Sequence, residues 1–190
     1  MINNEILKNI ADRRSVRRYK DMPVEDDKLM TILEAGRQAP SGHNRQPWWY
    51  IIVRDEATKR AIAEADHGQE WMCAAPVFII CVADQKAQTY GEIFEGDELV
   101  CDEKNPTMAL KRAIRDTAAS VENILLAAES VGLSTCWTGW YHQADVKPIL
   151  GIPDDKYVVA IITLGYGDET PDARPRRDLE EIVMFEKWDR

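Results

Sequence analysis

The sequence has none of the residue spacings typical of zinc sites or disulfide frameworks. Its 190 residues include four cysteines, none of them in a C-x-x-C pair, and three histidines scattered along the chain. Structural zinc sites use closely spaced cysteines and histidines, and disulfide frameworks belong to cysteine-rich secreted chains. Cys73 and Cys81 flank or lie within an apolar run, where cysteine usually packs as a small hydrophobe. We therefore expect neither a metal ion nor a disulfide framework.

Glycine-rich nucleotide motifs are also missing. The chain contains no G-x-G-x-x-G and no Walker sequence. These motifs let a backbone loop and a helix N-terminus hold phosphate groups, so neither a Rossmann dinucleotide site nor a P-loop is supported. A phosphate-bearing ligand would have to be held by side chains instead.

Long hydrophobic runs and net positive charge are absent too. The longest apolar candidates, such as Val158–Ile162, have the length of a strand, whereas a membrane span needs about 20 residues. The first residues, Met1–Glu5, have neither a basic region nor an apolar core, so they are unlike a secretion signal. The formal net charge of −9 argues against nucleic acid and anionic membranes as partners. We expect a soluble, cytoplasmic protein.

The composition that remains is that of one globular domain over residues 1–190, with 45% hydrophobic residues. A chain of this length buries roughly 70% of its unfolded surface. No linker or repeat divides it, and its apolar periodicity predicts alternating helices and strands. Helices are predicted over residues 3–12, 23–40, 55–66, 107–131 and 144–150, and strands over 48–53, 76–82, 133–137 and 157–164. Residues 84–105 are predicted to form an acidic surface excursion, with the 92–103 stretch either a solvated face or a substrate lid.

Two arginine clusters stand out in this acidic chain. The first arginine cluster is Arg13-Arg14-Ser15-Val16-Arg17-Arg18, and the second is Arg174-Pro175-Arg176-Arg177. Forked guanidinium donors, beside a hydroxyl or on a backbone stiffened by proline, suit a phosphate monoester. For any single pair of arginines, solvated surface is the better interpretation. If folding brings the two clusters together, we expect them to hold a phosphorylated small molecule.

Further motifs lie between the two clusters. Ala39–Trp48 reads Ala-Pro-Ser-x-x-Asn-x-Gln-Pro-Trp, and Gly132 begins Gly-Leu-Ser-x-Cys-Trp-x-Gly. The turn Leu150-Gly151-Ile152-Pro153 and the strand end Leu164-Gly165-Tyr166 follow. In this order, and together with both arginine clusters, these motifs resemble the nitroreductase family of flavoproteins. The resemblance spans nearly the whole chain.

The resemblance implies an α+β fold of three layers, in which helices flank a central, mostly antiparallel sheet. It also implies an intertwined homodimer with FMN bound at the interface. The helix over 107–131 would form the dimer core, and the C-terminal arm, residues 168–190, would wrap the partner subunit.

The resemblance also assigns roles at the flavin. Arg13, Ser15, Arg174 and Arg176 would hold the phosphate. Arg17 would face the pyrimidine edge of the ring, where a cation stabilises the charge of the reduced flavin. A backbone N–H at or near Thr138 would point at N5, and no side chain would be an obligate acid, base or nucleophile. The full candidate cofactor-binding set is Arg13, Arg14, Ser15, Arg17, Pro40, Ser41, Gly42, Asn44, Gln69, Trp137, Thr138, Gly139, Arg174 and Arg176.

These candidate residues are not all equally well supported. Ser41, Gly42 and Asn44 would come from the partner subunit. Gln69 stands where the family often has asparagine or lysine, and Thr138 stands where long members often have glutamate. Considered singly, Arg14, Arg18 and Arg177 fit solvated surface.

The activity that the resemblance implies is a ping-pong reaction. NADH or NADPH would visit as a transient co-substrate and pass hydride through flavin N5 to a nitroaromatic, quinone or similar small acceptor. Two alternatives stay open: a flavin-fragmenting or dehalogenating enzyme of the same fold, and a non-catalytic flavin carrier or redox sensor. The sequence does not choose between NADH and NADPH.

A few other residues have two interpretations at this point. Trp71, Trp137 and Trp140 either line a pocket for a planar substrate or pack in the core. His142 and Tyr141 either donate a proton to substrate or leave that task to solvent. Burial explains Cys136 more simply than redox chemistry does.

Overall fold

Four antiparallel strands form the centre of the molecule. In the computed structural model, which describes residues 4–89, 104 and 106–188, the strands are β1 (Trp48–Val53), β2 (Val77–Asp84), β3 (Ser134–Thr138) and β4 (Lys156–Gly165). They are ordered β1-β2-β4-β3, and every neighbouring pair is antiparallel. The register pairs Ile80 with Ile51 on one side and with Ile161 on the other. The predicted antiparallel sheet is confirmed.

Helices cover both faces of this sheet. They are α1 (Glu5–Asp12), α2 (Asp26–Arg37), α3 (Glu56–Ala65), α4 (Met108–Ser130), α5 (Gln143–Leu150) and α6 (Leu179–Ile182). Three short 3₁₀ turns lie at Gly42–Asn44, Glu70–Ala74 and Gln85–Gln88. None of the helices described here is long and apolar enough to cross a membrane.

Strand β2 shows why the fold has three layers. Its residues are almost all buried, because alternate side chains enter two different cores. Ile79 and Cys81 pack with α2 and α4, whereas Phe78 and Ile80 pack with residues of α3 and α5 on the other face. A strand buried on both faces is a continuous apolar run, as this one is. The predicted three-layer α+β fold is confirmed.

The long helix α4 lies against α2 and the sheet. Thr107 caps its first turn, since the threonine Oγ1 accepts a hydrogen bond from the Leu110 N–H at 3.0 Å. Helix α2 approaches closely at Gly36, where a Cβ would lie 2.7 Å from Ile124 Cγ1. Glycine is therefore the residue that lets α2 and α4 touch. The helix predicted over 107–131 is confirmed, and Gly132 ends it with φ +76°.

Most element boundaries differ from the predicted ones by one to three residues. Helix α2 begins at Asp26 instead of Pro23, because Glu25 is still extended. Strand β3 continues through Thr138, which pairs with Ile161. The predicted excursion over 84–105 is wrong for its first residues, because Asp84 belongs to β2 and the following 3₁₀ turn packs on α4 and buries Gln85 and Gln88. The stretch 92–103 lies outside the described residues.

The C-terminal arm is described as far as residue 188. It contains only the short helix α6, and its residues from 172 onward are almost all exposed. Three large apolar side chains on it are mostly accessible: Leu179 at 69%, Phe185 at 82% and Trp188 at 78%. Contact between the arm and a partner subunit stays a prediction.

Candidate functional site

The first arginine cluster lies along the edge of the sheet. Helix α1 ends at Asp12, and the chain continues in an extended form beside β3. The backbone of Ser15 forms a parallel β-bridge with Thr135 of β3. The Val16 N–H donates to the Thr135 carbonyl at 2.9 Å. Because Val16 is buried in the core, its neighbours Ser15 and Arg17 are left exposed. The sheet edge therefore presents the first cluster to solvent.

Tyr19 anchors the end of this segment. Its hydroxyl lies 2.7 Å from the Val16 carbonyl and 2.7 Å from Thr163 Oγ1. Burial raises the pKa of Tyr19 well above the usual value for a phenol. The phenol therefore stays protonated and able to donate at any pH near neutrality. Its contacts fix the position of the arginines that precede it.

The C-terminal segment returns to the same place. The Asp168 N–H donates to the Arg18 carbonyl at 2.9 Å, and the Arg17 N–H donates to Glu169 Oε1 at 2.7 Å. The second of these bonds joins residues 152 positions apart in the sequence. Folding therefore brings the two arginine clusters together, as the phosphate hypothesis requires.

The two clusters share one cavity of about 790 Å³. Five arginines line it, together with only two carboxylates, Glu169 and Asp172, so its walls are positively charged in a chain of net charge −9. Within residues 4–89, 104 and 106–188, no ion pair with a carboxylate engages Arg13, Arg17, Arg174 or Arg176. The residues that line this arginine cavity include six of the predicted site residues: Arg13, Arg14, Ser15, Arg17, Arg174 and Arg176.

Arg14 has a local role as well. Its Nη1 donates to the Ala11 carbonyl at 2.6 Å and to the Arg13 carbonyl at 2.9 Å. These carbonyls belong to the end of α1, where backbone acceptors lack partners within the helix. Arg14 therefore helps to end α1, which agrees with a smaller part in ligand binding.

A second group of predicted residues lies next to Arg17. The Arg17 guanidinium carbon is 5.6 Å from the centre of the Trp71 ring, and the Trp71 Nε1–H donates to Gln69 Oε1 at 3.2 Å. His67 stacks on Trp140, with ring centres 4.3 Å apart and planes 4° from parallel. The turn after α3 therefore lies beside the turn after β3.

The end of β3 supplies the remaining residues of this group. Thr138 is buried and pairs with Ile161, whereas Trp137 and Gly139 are exposed. Trp140 is 68% exposed, so it is a surface residue and not part of the core. Arg17 of the arginine cavity lies next to Trp71, whereas His67 stacks on Trp140 and lines a separate cavity with residues of α3 and α5. We refer to Trp71, Trp140 and His67 as the aromatic group.

The loop Pro40–Asn44 lies elsewhere on the chain. None of Pro40, Ser41, Gly42 and Asn44 is among the described residues that line the arginine cavity. The Gly42 N–H donates instead to Asp116 Oδ2 of α4 at 3.0 Å. A single chain thus does not bring this loop to the arginines, and its contribution from a partner subunit stays a prediction.

Two other candidates have structural roles. Tyr141 is buried, and its hydroxyl donates to the Val158 carbonyl at 3.1 Å, so it does not face the cavity. Burial raises the pKa of the Cys136 thiol, which keeps it in the unreactive protonated form. His142 is exposed and its ring centre lies 5.9 Å from that of His67.

The sequence analysis missed Glu169 and Asp66. Glu169 holds the Arg17 backbone, and nothing in its polar surroundings distinguished it from other exposed carboxylates. Asp66 follows α3 and is completely buried, and neither of its carboxylate oxygens has a hydrogen-bond partner among the described residues. In the sequence, nothing distinguishes Asp66 from the exposed carboxylates of the chain.

Asp66 leads to a prediction on stability. Changing Asp66→Asn removes a buried, unpartnered carboxylate while nearly conserving its shape. We expect the free energy of unfolding to rise by about 1 kcal/mol, because burying an unpartnered carboxylate costs more than burying the neutral amide that replaces it. Thermal unfolding followed by circular dichroism measures the effect. Asp21→Asn, in an exposed loop, is the matched control and is expected to leave the midpoint unchanged. A lower midpoint for Asp66→Asn would contradict the prediction.

Comparison with known proteins decides the family. The model of the nitroreductase family matches residues 10–166. The chain belongs to the nitroreductase family. The matched range contains the first arginine cluster, the whole sheet and α4, and it ends before the second arginine cluster.

Relatives of full length support the membership. An NADH dehydrogenase of Thermus thermophilus is 33% identical over 190 aligned residues, which cover 91% of this chain and 92% of that protein. The structure is similar to the NADPH:FMN oxidoreductase of Vibrio harveyi solved with NAD⁺, with a TM-score of 0.86 at 26% identity, over 98% of this chain and 79% of that one. It is also similar to a Desulfovibrio desulfuricans protein solved with FMN, with a TM-score of 0.81 at 28% identity, over 99% and 100% of the two chains.

Proposed function

We propose that this protein is an FMN-dependent NAD(P)H oxidoreductase that reduces nitroaromatics, quinones or similar small acceptors. The observation that carries the proposal is the cavity in which both arginine clusters meet at the edge of β3. The proteins of similar structure include an NADPH:FMN oxidoreductase and a protein solved with FMN. The residues of this cavity fit that cofactor.

The phosphate end of the cavity has the donors that FMN requires. Arg13, Arg174 and Arg176 offer guanidinium groups, and Ser15 adds a hydroxyl. Each charge-assisted hydrogen bond to a phosphate contributes about 1.5–3 kcal/mol. The cavity volume of about 790 Å³ lies within the range of small-molecule sites, roughly 300–1,000 Å³. We infer that the arginines replace the glycine-rich loop that the sequence lacks.

Arg17 lines the same cavity as the phosphate donors and also lies next to Trp71. Its backbone is fixed by Glu169, and its guanidinium group lies near the Trp71 ring. A fixed cation at this point stabilises negative charge on the pyrimidine part of a reduced flavin. When bound, FMN supplies the two-electron chemistry, accepting hydride from NAD(P)H at N5 and donating it to the acceptor. We assign the backbone N–H at or near Thr138 to orient that atom.

The aromatic group is suited to planar substrates. Trp71 lies next to Arg17, and Trp140, which stacks on His67, is largely exposed. Aromatic faces bind planar molecules by offset stacking. The lack of a dinucleotide motif agrees with NAD(P)H as a visiting co-substrate. We therefore assign the nicotinamide and the acceptor in turn to this group.

The proposal includes a homodimer in which Ser41, Gly42 and Asn44 complete the flavin site of the partner. Exposed apolar side chains on α1 and on the C-terminal arm support it, since large exposed apolar patches commonly mark interfaces. They include Ile6 and Ile10 on α1, and Phe185 and Trp188 on the arm. In this dimer, α4 forms the dimer core, and the C-terminal arm, residues 168–190, wraps the partner subunit. The single domain over 1–190 is part of the same proposal.

A reconstitution assay tests the function. Protein purified from cells is expected to be yellow, to release FMN on denaturation and to oxidise NADH or NADPH only when a nitroaromatic or quinone is present. The measurement is the steady-state rate with each nicotinamide and each acceptor, at a fixed flavin content. Parallel double-reciprocal lines are expected, because one site serves both half-reactions in turn.

The alternatives give different results in the same assay. A yellow protein that oxidises neither nicotinamide with any acceptor would favour a flavin carrier or redox sensor. Loss of flavin absorbance during turnover, or release of halide from a halogenated substrate, would favour the flavin-fragmenting or dehalogenating enzyme. A colourless protein that cannot be loaded with FMN would overturn the whole proposal.

A further inference from the structure

One carboxylate of α4 connects two segments that are far apart in the sequence. Asp116 Oδ2 accepts the Gly42 N–H at 3.0 Å and the Gln88 Nε2–H at 2.5 Å. Gly42 and Gln88 lie 74 and 28 positions away from Asp116. Hydrogen bonds to an ionised acceptor are about twice as strong as neutral ones. Asp116 therefore holds the loop around Gly42 and the turn after β2 on the same helix.

The loop held by Asp116 has an unusual backbone. Three of its residues that are not glycine have left-handed conformations: His43 with φ 52°, Asn44 with φ 56° and Gln46 with φ 49°. Such conformations cost energy and persist only where surrounding contacts impose them. Within the loop, Ser41 Oγ accepts the Gln46 N–H at 2.9 Å. The Gly42 bond to Asp116 then ties this preformed loop to α4.

The other partner of Asp116 is fixed by burial. Gln88 is completely buried in the 3₁₀ turn Gln85–Gln88, which packs on α4. A carboxylate accepts hydrogen bonds and does not donate them, so the amide nitrogen of Gln88 must face Asp116. The amide oxygen then has no partner among the residues that the structure describes. Gln88 thus holds the carboxylate of Asp116 in its orientation towards Gly42.

We propose that Asp116 is a positioning residue for the flavin site. It holds the loop over residues 41–46 in the strained shape that lets Ser41, Gly42 and Asn44 reach the FMN bound by the partner subunit. The inference rests on the proposed function, which assigns this loop to the flavin of the partner. Asp116 itself does not line the arginine cavity.

Substitutions at Asp116 test this role through flavin affinity. Asp116→Ala is expected to raise the Kd for FMN about tenfold or more, since it removes a charge-assisted bond that orders the loop. Asp116→Asn keeps an acceptor oxygen for the Gly42 N–H, so a smaller rise is expected, and Gln88→Ala is expected to lie between the two. Fluorescence titration with FMN measures Kd, and circular dichroism checks that each variant is folded. Glu122→Ala, an exposed position on the same helix, is the control and is expected to leave Kd unchanged.

Mixed dimers show whether the loop acts on the partner. In one arrangement, one chain carries all three substitutions, Asp116→Ala, Arg13→Ala and Arg176→Ala, and its partner is wild type. Each of the two sites then has one defect. In the other arrangement, Asp116→Ala is on one chain and the arginine changes are on its partner. One site then carries every defect and the other is intact. Tight binding of one FMN per dimer is expected only in the second arrangement.

The outcomes separate this inference from the function on which it rests. If the wild-type protein binds no FMN, both are overturned. If the wild type binds FMN and oxidises NAD(P)H while folded Asp116→Ala and Asp116→Asn have the wild-type Kd, only the role of Asp116 is overturned. If the mixed dimers show one tight site in the same-chain arrangement, the loop acts within its own subunit and the proposal is wrong.

Discussion

Replacing Arg13 and Arg176 together with alanine is expected to release FMN from the protein. The two arginines come from opposite ends of the chain and line the same cavity. Each charge-assisted bond to the phosphate contributes about 1.5–3 kcal/mol, so losing both corresponds to roughly a hundredfold to ten-thousandfold rise in Kd. The ratio of flavin to protein after gel filtration and a fluorescence titration measure the loss.

The matched control removes arginines of the same two clusters that lie outside the cavity. Arg18→Ala with Arg177→Ala carries the same change of net charge, and both side chains are exposed. Flavin retention is expected to match the wild type. If the control loses flavin as strongly as Arg13→Ala with Arg176→Ala, general attraction by positive charge explains retention. If Arg13→Ala with Arg176→Ala retains flavin fully, the phosphate assignment is wrong.

Gly165→Ala is expected to be the most damaging single substitution of a glycine. A Cβ on Gly165 would lie 2.6 Å from Pro76 Cδ and 3.0 Å from Tyr19 Cδ1. Both neighbours are rings with little freedom to move, and β4 is paired at this residue with Ser134. Overpacking of this kind costs about 1–3 kcal/mol, and we expect the upper end here. A lower midpoint of thermal unfolding measures this cost.

The same substitution is expected to weaken flavin binding. Tyr19 fixes the segment that carries Arg17, so a displaced tyrosine ring moves that arginine as well. Gly132→Ala separates this effect from general strain. Gly132 has a φ of +76°, and a Cβ added there would have no atom within 4 Å. We therefore expect Gly132→Ala to cost only about 1 kcal/mol, through its left-handed backbone. Equal midpoints for the two variants would refute the close contact at Gly165.

The regular elements were predictable because their signals are local. Apolar residues of α4 recur at spacings of three and four, and β2 is a short apolar run buried on both faces. Boundaries were less well predicted, as at Pro23, where residues 23–25 are not helical and α2 begins at Asp26. Pro23 restricts only its own φ, so a proline near a helix start does not mark its first residue.

The candidate site was predictable in part. The order of motifs along the chain pointed to the arginines, Ser15 and the end of β3, and the structure places these residues along one edge of the sheet. Asp66 and Asp116 were not predictable from the sequence. A buried, unpartnered carboxylate and one that holds a distant loop look alike in a sequence, because burial and partners depend on distant parts of the chain.

The sequence by itself determined which elements form, which face of each is apolar, and that positive charge is concentrated in two clusters. These properties depend on residues within a few positions of one another. Only the tertiary structure decided that the two clusters meet. That meeting depends on Tyr19, Gly165 and Glu169, whose contacts join segments about 150 residues apart. Tertiary structure also decided that the loop over residues 41–46 does not line the arginine cavity of its own chain, and that Gly42 is bonded to Asp116 of α4.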